Sequence, residues 1–484
     1  MKLKDLTKDL NIKAAKGDFD VEISGVAYDS RQVKEGDVFV AVPGFKVDGM
    51  AFVPDAVKSG AAAVVAQKPV ENVSVPQIVV PSSRTALAKI SNTFYDFPSR
   101  KLKLIGITGT NGKTSICYLL ENILRKAGHK VGLISTVEIK INGGHVESKL
   151  TTPESLDLQK ILDQMVKHDV THVVMEVSSH SLALDRVLGT EFDIAVFTNL
   201  THDHLDFHGS MEDYLKAKMK LFSSLGKGVK KEVAAILNKD DGHSKPILDL
   251  LKGNALTYGI NYNANLVAKN IKFDLKGMTF SLATQKEAVP VRTKLIGEAS
   301  VYNILASVLS ALTLGEELIQ VVEAVGYFEG APGRFERIKT GKSFDVVVDF
   351  AHSPDGLQKL IETYRPFVKG KLILLFGCPG DRDREKRPIM GGIASKLADH
   401  VIISTDDPHS EDPRKIIDEI EDGMCGKTYE KIIDRRQAIE KALSLAKKGD
   451  MVLIAGRGHE RYQDFGGKKL EIDDRAVVRE VLAS

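Results

Sequence analysis

Hydrophobic and polar positions along the chain follow two rhythms. Short unbroken apolar runs read as buried strands, and apolar positions three and four apart read as amphipathic helices. Up to residue 98 the runs are short: VEISGVAYDS, GDVFVAV, AAAVVAQ and PQIVVP, separated by AFVPDAVKSG and SRTALAKISNTFYDF. That pattern predicts a small α/β domain over 1–98. FPSRK then reads as a linker, because proline ends the preceding helix and polar residues follow. Over 99–331 the runs VGLIST, THVVMEVS, FDIAVFTNL and EVAAILN alternate with helical patterns, which predicts a mainly parallel sheet covered on both faces. EGAPGRFE marks the next boundary. Over 332–484 SFDVVVDFAH, KLILLFG, HVIIST and DMVLIAGRG again alternate with helices.

The junction between one strand and one helix carries the first chemistry. Leu102, Leu104 and Ile105 read as a strand, and Ile116, Leu119, Leu120, Ile123 and Leu124 recur at helical spacing. Between them lies ITGTNGKTS, residues 107–115. Gly109 and Gly112 let the backbone approach phosphates, the helix start offers unpaired N–H groups, Lys113 adds a cation and Thr114 can hold Mg²⁺. The loop departs from the usual spacing, since Ile107 stands five before Gly112 and the nearest glycine is Gly106. A solvated glycine-rich turn is the competing reading. The fold class expected is α/β with three domains: a small N-terminal α/β domain, a central P-loop parallel-sheet ATPase domain and a C-terminal Rossmann-like domain.

Composition narrows the picture by exclusion. The 484 residues carry 67 Lys and Arg against 65 Asp and Glu, a formal charge of +2, so neither nucleic acid nor an anionic membrane is an expected partner. Three cysteines, Cys117, Cys378 and Cys425, have no metal-ligand spacing and read as packing residues of a cytosolic protein. The charged start MKLKDLTKDLNIKAAKGD lacks an apolar signal region, and no later run reaches the length of a membrane span. A cytoplasmic monomer is expected.

Further polar signatures fall just after strands, where α/β sheets bind ligands. Glu176 closes HVVM and is a candidate Mg²⁺ ligand or a solvated strand-end acid. FTNLTHDHLDFHG packs three histidines and two aspartates, a density that favours a metal site over a polar loop beside a phosphate loop. In SMEDYLKAKMKLF, Ser210 and Asp213 form a capping pair. Lys218 lies on the apolar stripe of Met211, Tyr214, Leu215 and Phe222, whereas Lys216 and Lys220 face away. A buried amine loses its charge more readily and can add CO₂ to become an anionic carbamate. A snorkelling lysine explains the same position, and on the residues alone is the simpler reading. Downstream, CPGDRDREKRP offers Arg382 and Lys386, STDDPHSEDP offers Asp406, Asp407 and His409, and GRGHERYQ offers His459 and Glu460. Three such loops after three strands suggest one cleft for an amino acid.

Taken together, GTNGKTS, TTPE, MEVSSH, NLTHDHLDFHG, YLKAK, APGRFE, DFAHSPD and GRGHE resemble the Mur ligases, more closely their UDP-N-acetylmuramoyl-tripeptide synthetase branch. YDSRQVKEGDVFVAVPGFKVDGMAF resembles that family's nucleotide-sugar domain. The resemblance implies ATP-dependent amide formation through an acyl phosphate, in the synthesis of a peptidoglycan precursor. It implies ATP contacts from Gly109, Thr110, Asn111, Gly112, Lys113, Thr114 and Ser115, with Asn303, Arg334, Asp349 and His352 framing the nucleotide. It implies Mg²⁺ held by Thr114, Glu176, His204 and a CO₂-carbamylated Lys218 (N6-carboxylysine), with Lys113 completing the catalytic group. Ser30, Thr151, Thr152, Ser178 and Arg186 correspond to the UDP-N-acetylmuramoyl dipeptide site, and Arg382, Asp406, Asp407, His409, Gly456 and Glu460 to the site of a dibasic amino acid.

The amino acid itself is an open point. Diaminopimelate-adding relatives carry D-N-P-R where this chain reads Asp406-Asp407-Pro408-His409. Without that arginine fork the extra carboxylate of meso-diaminopimelate lacks a clamp, and Asp407 with Glu460 suits an isolated ammonium, so L-lysine is favoured slightly. Arg414 is a nearby alternative cation. A folylpolyglutamate synthase-like ligase and a non-catalytic nucleotide-binding protein are the competing classes; YDSR and TTPE speak against the first, and the intact catalytic positions against the second.

Overall fold

The computed structural model describes residues 1–44, 47–148, 150–426 and 428–483. Phe45 and Lys46, inside the YDSR-to-GMAF stretch, lie outside the described residues. The chain packs as two compact units: one of residues 1–108, 128–196 and 217–235, the other of residues 109–127, 197–216 and 236–484.

In the first unit a five-stranded sheet runs in the order Ala14–Lys16, Gln77–Val79, Ala63–Ala66, Asp37–Val40, Gly25–Ala27. Only the first pairing is antiparallel. Successive strand residues enter opposite cores: Val38, Val40, Val65 and Ile78 on one side, Phe39, Ala41, Val64 and Ala66 on the other. Helix Ser83–Phe94, capped by the Ser82 hydroxyl on the Thr85 N–H, buries Leu87 and Ile90 in the first core. Pro98–Lys101 is a packed corner where a linker was expected. Ser99 is fully buried and its Oγ accepts the Glu191 N–H at 3.1 Å, while Arg100 covers the Phe97 ring and pairs with Glu191.

The same unit holds strands Ile194–Phe197, Lys103–Thr108, His172–Glu176, Val131–Ile134, Glu138–Ile141 and Gly144–Glu147, in that spatial order. Lys103–Thr108, His172–Glu176 and Val131–Ile134 are parallel, and the last two pairings are antiparallel. The second unit continues from Ala234–Asn238 through parallel Leu256–Gly259 to Leu266–Asp274, then antiparallel Gly277–Ala283 and Ala288–Thr293. The mainly parallel expectation thus becomes a mixed arrangement. Hairpins joined by tight turns, with Gly143 and Gly277 at positive φ, add antiparallel strands that need no crossover helix.

The C-terminal sheet runs Glu336–Ile338, Asp345–Asp349, Met451–Ala455, Leu372–Phe376, His400–Ser404, Tyr429–Ile432. All but its first pairing are parallel. Its strands alternate between two cores, Leu372, Leu374, Phe376 and Leu453 against Ile373, Leu375, Val452 and Ile454. Helices Pro354–Tyr364, Lys386–Leu397 and Pro413–Glu421 supply the first core, and Arg435–Leu445 and Asp474–Ala483 the second, so both faces are covered as the apolar runs predicted. Among the described residues no helix is long and apolar enough to cross a membrane. Cys117 and Cys378 are buried as expected, but Cys425 is exposed, because it sits in the turn after Pro413–Glu421 and not in an element that packs.

Candidate active site

The phosphate loop is shaped by its glycines. Strand Lys103–Thr108 leads into Gly109 at φ +151°, where a Cβ would lie 1.8 Å from Thr198 Oγ1, and Gly112 at φ +90° would set a Cβ 2.5 Å from Asn303 Oδ1. Only glycine lets the loop pass so close to these polar side chains. Thr198 Oγ1 donates to the Asn111 carbonyl at 2.6 Å, Asn199 Oδ1 accepts the Asn111 N–H at 2.9 Å, and the Thr110 N–H reaches the Asn199 carbonyl at 2.9 Å. Thr110 Oγ1 also meets Tyr214 Oη at 3.1 Å. Lys113 Nζ donates to the Gly109 and Thr110 carbonyls at 2.9 and 2.8 Å, which folds the cation over the loop. Helix Lys113–Lys126 begins there, with Thr114 buried in its first turn.

A cleft of about 700 Å³ opens beside the loop in the same unit. Asn111, Gly112, Ser115, Asn303, Arg334, Asp349 and His352 all line it, so most of the expected nucleotide residues converge. Arg334 Nη2 donates to Thr114 Oγ1 at 3.3 Å and its guanidinium lies over the Phe350 ring, 4.4 Å from the centroid. Asp349 fixes that corner, accepting the Phe335 and Ala351 N–H groups at 2.6 and 2.8 Å. Burial raises its carboxyl above the usual range, against the pull of Arg334 and those two N–H groups. His352 Nδ1 meets the Phe350 carbonyl at 2.8 Å, and burial, with Lys386 nearby, pushes the imidazole down to about 4. Sequence reasoning missed the far wall. There Asp240 accepts the N–H groups of Ile260, Asn261 and Tyr262 at 2.6, 2.9 and 3.1 Å and the Tyr302 hydroxyl at 2.8 Å. The signal available was the polar NKDD directly after the run EVAAILN.

His204, at φ +56°, has Nε2 3.5 Å from Asp203 Oδ2 and meets Tyr214 edge-on. Burial pushes Asp203 up, but His204, His352, Lys386 and Lys113 outweigh it and hold the carboxyl below its usual range.

In the other unit Glu176 ends its strand 1 % exposed. Its Oε1 accepts the Thr136 N–H at 2.9 Å and its Oε2 the Thr136 hydroxyl at 3.2 Å; that hydroxyl also reaches Thr151 Oγ1 at 3.1 Å. Thr152 Oγ1 donates to the Glu176 carbonyl at 2.8 Å and accepts the Ser178 N–H at 3.1 Å, and Arg186 Nη1 donates to the Thr152 carbonyl at 3.2 Å. Thr151, Thr152, Ser178 and Arg186 are thus stitched together. Ser30 opens the one-turn helix Ser30–Gln32 capped by Asp29 and, among the described residues, makes no side-chain hydrogen bond to them. Lys218 is 1 % exposed, while Lys216 pairs with Glu212 and Lys220 with Asp185 at the surface. The expected division of these three lysines holds. Ser210 and Asp213 exchange the expected capping bonds, 2.8 and 3.1 Å.

The third group lies at the carboxyl ends of the C-terminal strands. Carboxylate oxygens of Asp406, Asp407 and Glu460 lie within 4.8 Å of one another. Arg457, with no exposed side chain, pairs with Asp407 and donates to the Tyr462 carbonyl at 2.6 Å. The Nη1 that pairs with Asp407 also lies 3.6 Å from Glu460 Oε2, so both acids expected to face an ammonium share a cation of the chain itself. Asp406 is 4 % exposed; Oδ1 accepts the Asp407 N–H at 2.7 Å, and the buried Oδ2 has no hydrogen-bond partner among the described residues. A Cβ at Gly456 would fall 2.3 Å from that oxygen, so glycine keeps it open. Burial and then the two aspartates push Glu460 well above the usual carboxylate range. His409, at φ +49°, is turned to the hairpin Tyr462–Phe465/Lys468–Glu471, its N–H donating to the Asp464 carbonyl at 2.9 Å and Nδ1 lying 3.3 Å from Asp464 Oδ2. Arg382 is exposed and bonds only the Asp381 carbonyl among the described residues; Arg414 is exposed too. Arg457 stood inside GRGHE, but nothing in spacing tells a buried clamp from a substrate contact.

A glycine-shaped phosphate loop beside a cleft framed by Arg334 and Asp349 defines a nucleotide-phosphate site in an α/β fold. The Mur ligase middle domain matches residues 107–311, the Mur ligase glutamate ligase domain residues 333–458 and the Mur ligase family catalytic domain residues 22–95. The chain is 47 % identical over 486 residues to the UDP-N-acetylmuramoyl-L-alanyl-D-glutamate–2,6-diaminopimelate ligase of Caldanaerobacter subterraneus subsp. tengcongensis, covering 100 % of this chain and 99 % of that one. It is 45 % identical over 463 residues to the ligase of the same name from Bacillus cereus, covering 95 % and 94 %. A solved structure of such a ligase matches with a TM-score of 0.69 at 31 % identity, over 100 % of this chain and 99 % of that one. The chain belongs to the Mur ligase family, in its MurE branch. It is an ATP-dependent, amide-forming ligase of peptidoglycan precursor synthesis.

Proposed function

We propose that the enzyme adds L-lysine to the D-Glu carboxylate of UDP-N-acetylmuramoyl-L-Ala-D-Glu. The observation that carries the choice of amino acid is Asp406 Oδ2, a buried acceptor beside Glu460 with no hydrogen-bond partner among the described residues, while position 409 holds a histidine turned toward Asp464. An acidic pocket suits a distal ammonium, and neither His409 nor the exposed Arg382 offers a carboxylate a buried fork. Meso-diaminopimelate is the second reading, favoured by the names of the two curated relatives.

The substrate carboxylate attacks the γ-phosphorus of ATP, the bond to ADP breaks, and the acyl phosphate passes to the incoming amine through a tetrahedral adduct that expels phosphate. Gly109, Thr110, Asn111, Gly112, Lys113, Thr114 and Ser115 cradle the phosphates, and Asn303, Arg334, Asp349 and His352 frame the nucleotide. Thr114, Glu176, His204 and a carbamylated Lys218 have the donor chemistry for Mg²⁺: a hydroxyl, a buried carboxylate, an imidazole and a buried amine that CO₂ would turn into an oxygen ligand. When bound, Mg²⁺ would supply positive charge to the phosphoryl oxygens. Lys113 adds to that charge, and enclosure of the cleft excludes water from the acyl phosphate. Ser30, Thr151, Thr152, Ser178 and Arg186 bind the muramoyl dipeptide, and Arg382, Asp406, His409, Gly456 and Glu460 surround the amino acid, with Asp407 held by Arg457.

In this reading residues 1–98 serve the UDP-sugar, 99–331 ATP and the ligation, and 332–484 the amino acid, a division supported by the three separately matched domains. The reading places the enzyme in the cytoplasm, where ATP is available, and takes it to act as a monomer. The test is phosphate release with ATP, Mg²⁺ and UDP-N-acetylmuramoyl-L-Ala-D-Glu, with lysine and meso-diaminopimelate in separate reactions. Release with lysine alone supports the reading; release with diaminopimelate alone replaces it with the second.

A further inference from the structure

Glu154, the last residue of TTPE, sits where helix Ser155–Lys167 begins, yet its side chain makes no capping hydrogen bond. A glutamate is a poor cap, and its carboxylate is turned elsewhere. Oε1 lies 2.9 Å from Arg186 Nε, an ion pair whose angle does not complete a hydrogen bond, and Oε2 lies 3.5 Å from Arg84 Nη1. The three side chains are largely buried, between 10 % and 17 % exposed. One carboxylate therefore holds two guanidiniums, and the trio keeps one net positive charge.

Each arginine is tied again on its far side. Arg84, on helix Ser83–Phe94 of the N-terminal sheet, donates from Nη2 to the Pro43 carbonyl at 2.9 Å. Arg186 donates from Nη1 to the Thr152 carbonyl at 3.2 Å, and Thr152 bonds Ser178 and the Glu176 carbonyl. Ion-paired with Glu154 at Nε and donating from Nη1 to the Thr152 carbonyl, the guanidinium is held on two sides. A free arginine would lose several rotamers on binding; one already clamped loses little.

We infer that Glu154 is a positioning residue for the muramoyl-dipeptide: by clamping Arg186 against Thr152 and linking it through Arg84 to the Pro43 segment, it presets the cationic edge that receives a substrate carboxylate. The inference rests on the dipeptide assignment proposed above. A glutamate with only a structural role predicts that its loss weakens the fold and every substrate alike. A positioning role predicts that the loss falls on one substrate.

The test is calorimetric titration of the full-length enzyme with UDP-N-acetylmuramoyl-L-Ala-D-Glu in the absence of ATP, for wild type, Glu154→Gln and Glu154→Asp. It is joined to KM values for all three substrates and to the thermal midpoint. For Glu154→Gln the dipeptide Kd and KM are expected to rise roughly tenfold, the scale of one charge-assisted contact. The ATP KM should change less than about twofold, a shift too small to count as a lost contact, and Glu154→Asp should recover part of the loss. An unchanged Kd in Glu154→Gln overturns the inference. So does a parallel loss of thermal midpoint and of all three affinities in both variants. If wild type itself binds no UDP-muramoyl dipeptide, the functional reading fails and takes this inference with it; binding by wild type with no effect of the variants sinks the inference alone.

Discussion

Arg457 and Asp407 form a buried ion pair beside Asp406 and Glu460, whose carboxylate oxygens lie within 4.8 Å of those of Asp407. Arg457 Nη1 pairs with Asp407 and lies 3.6 Å from Oε2 of Glu460, whose carboxyl is pushed up by burial and the two aspartates, so in the proposed function Asp406 is the carboxylate that takes the ammonium. Asp406→Asn is expected to raise the KM for the amino acid about tenfold, as loss of one charge-assisted hydrogen bond would, while the ATP KM holds. Asp407→Asn should instead lower stability, by on the order of 2–3 kcal/mol, because buried Arg457 loses its nearest carboxylate and keeps only the more distant Glu460 in pairing range. Steady-state kinetics and denaturation of the two variants separate the roles.

Gly109→Ala should cost about a hundredfold in turnover with the fold retained, the usual effect of displacing reacting groups by an ångström. The new Cβ would collide with Thr198 Oγ1, which cannot swing away without breaking its bond to the Asn111 carbonyl. Nucleotide affinity measured by titration with ADP checks the point, and wild-type affinity in the variant would refute it.

Lys218→Ala is expected to abolish ligation while leaving the dipeptide and ADP bound. If the buried amine carries CO₂, wild-type enzyme kept in bicarbonate-free buffer should lose activity and regain it on adding bicarbonate. Carbon-13-labelled bicarbonate should give a carbamate resonance absent from Lys218→Ala. No resonance and no bicarbonate effect would leave Lys218 a buried residue that carries no CO₂.

His459 ties stability to pH. Burial, with Arg334 and Arg475 facing it, pushes the imidazole from its ordinary 6.5 down to about 3. The unfolded chain therefore takes up this proton first as pH falls, so stability is full above about pH 6.5 and declines from there toward pH 3. Thermal midpoints measured through that window should fall less in His459→Gln than in wild type. Equal slopes would show that other groups govern acid unfolding.

Local rules along the chain were enough to establish the α/β class and the phosphate loop. A strand's apolar run, a helix's spacing and the need for glycine at Gly109 and Gly112 are written within a few residues of one another. The burial of Lys218 against the exposure of Lys216 and Lys220 was legible for the same reason. Contacts between residues far apart in the chain arise only when it folds. Asp407 is 50 residues from Arg457, Glu154 is 70 from Arg84, and Tyr302 is 62 from Asp240. A carboxylate's role depends on which cation reaches it first, and spacing along the chain holds no record of that. The antiparallel hairpins over Leu266–Thr293 escaped likewise, since they pair with each other at an edge and their half-exposed strands carry few apolar runs.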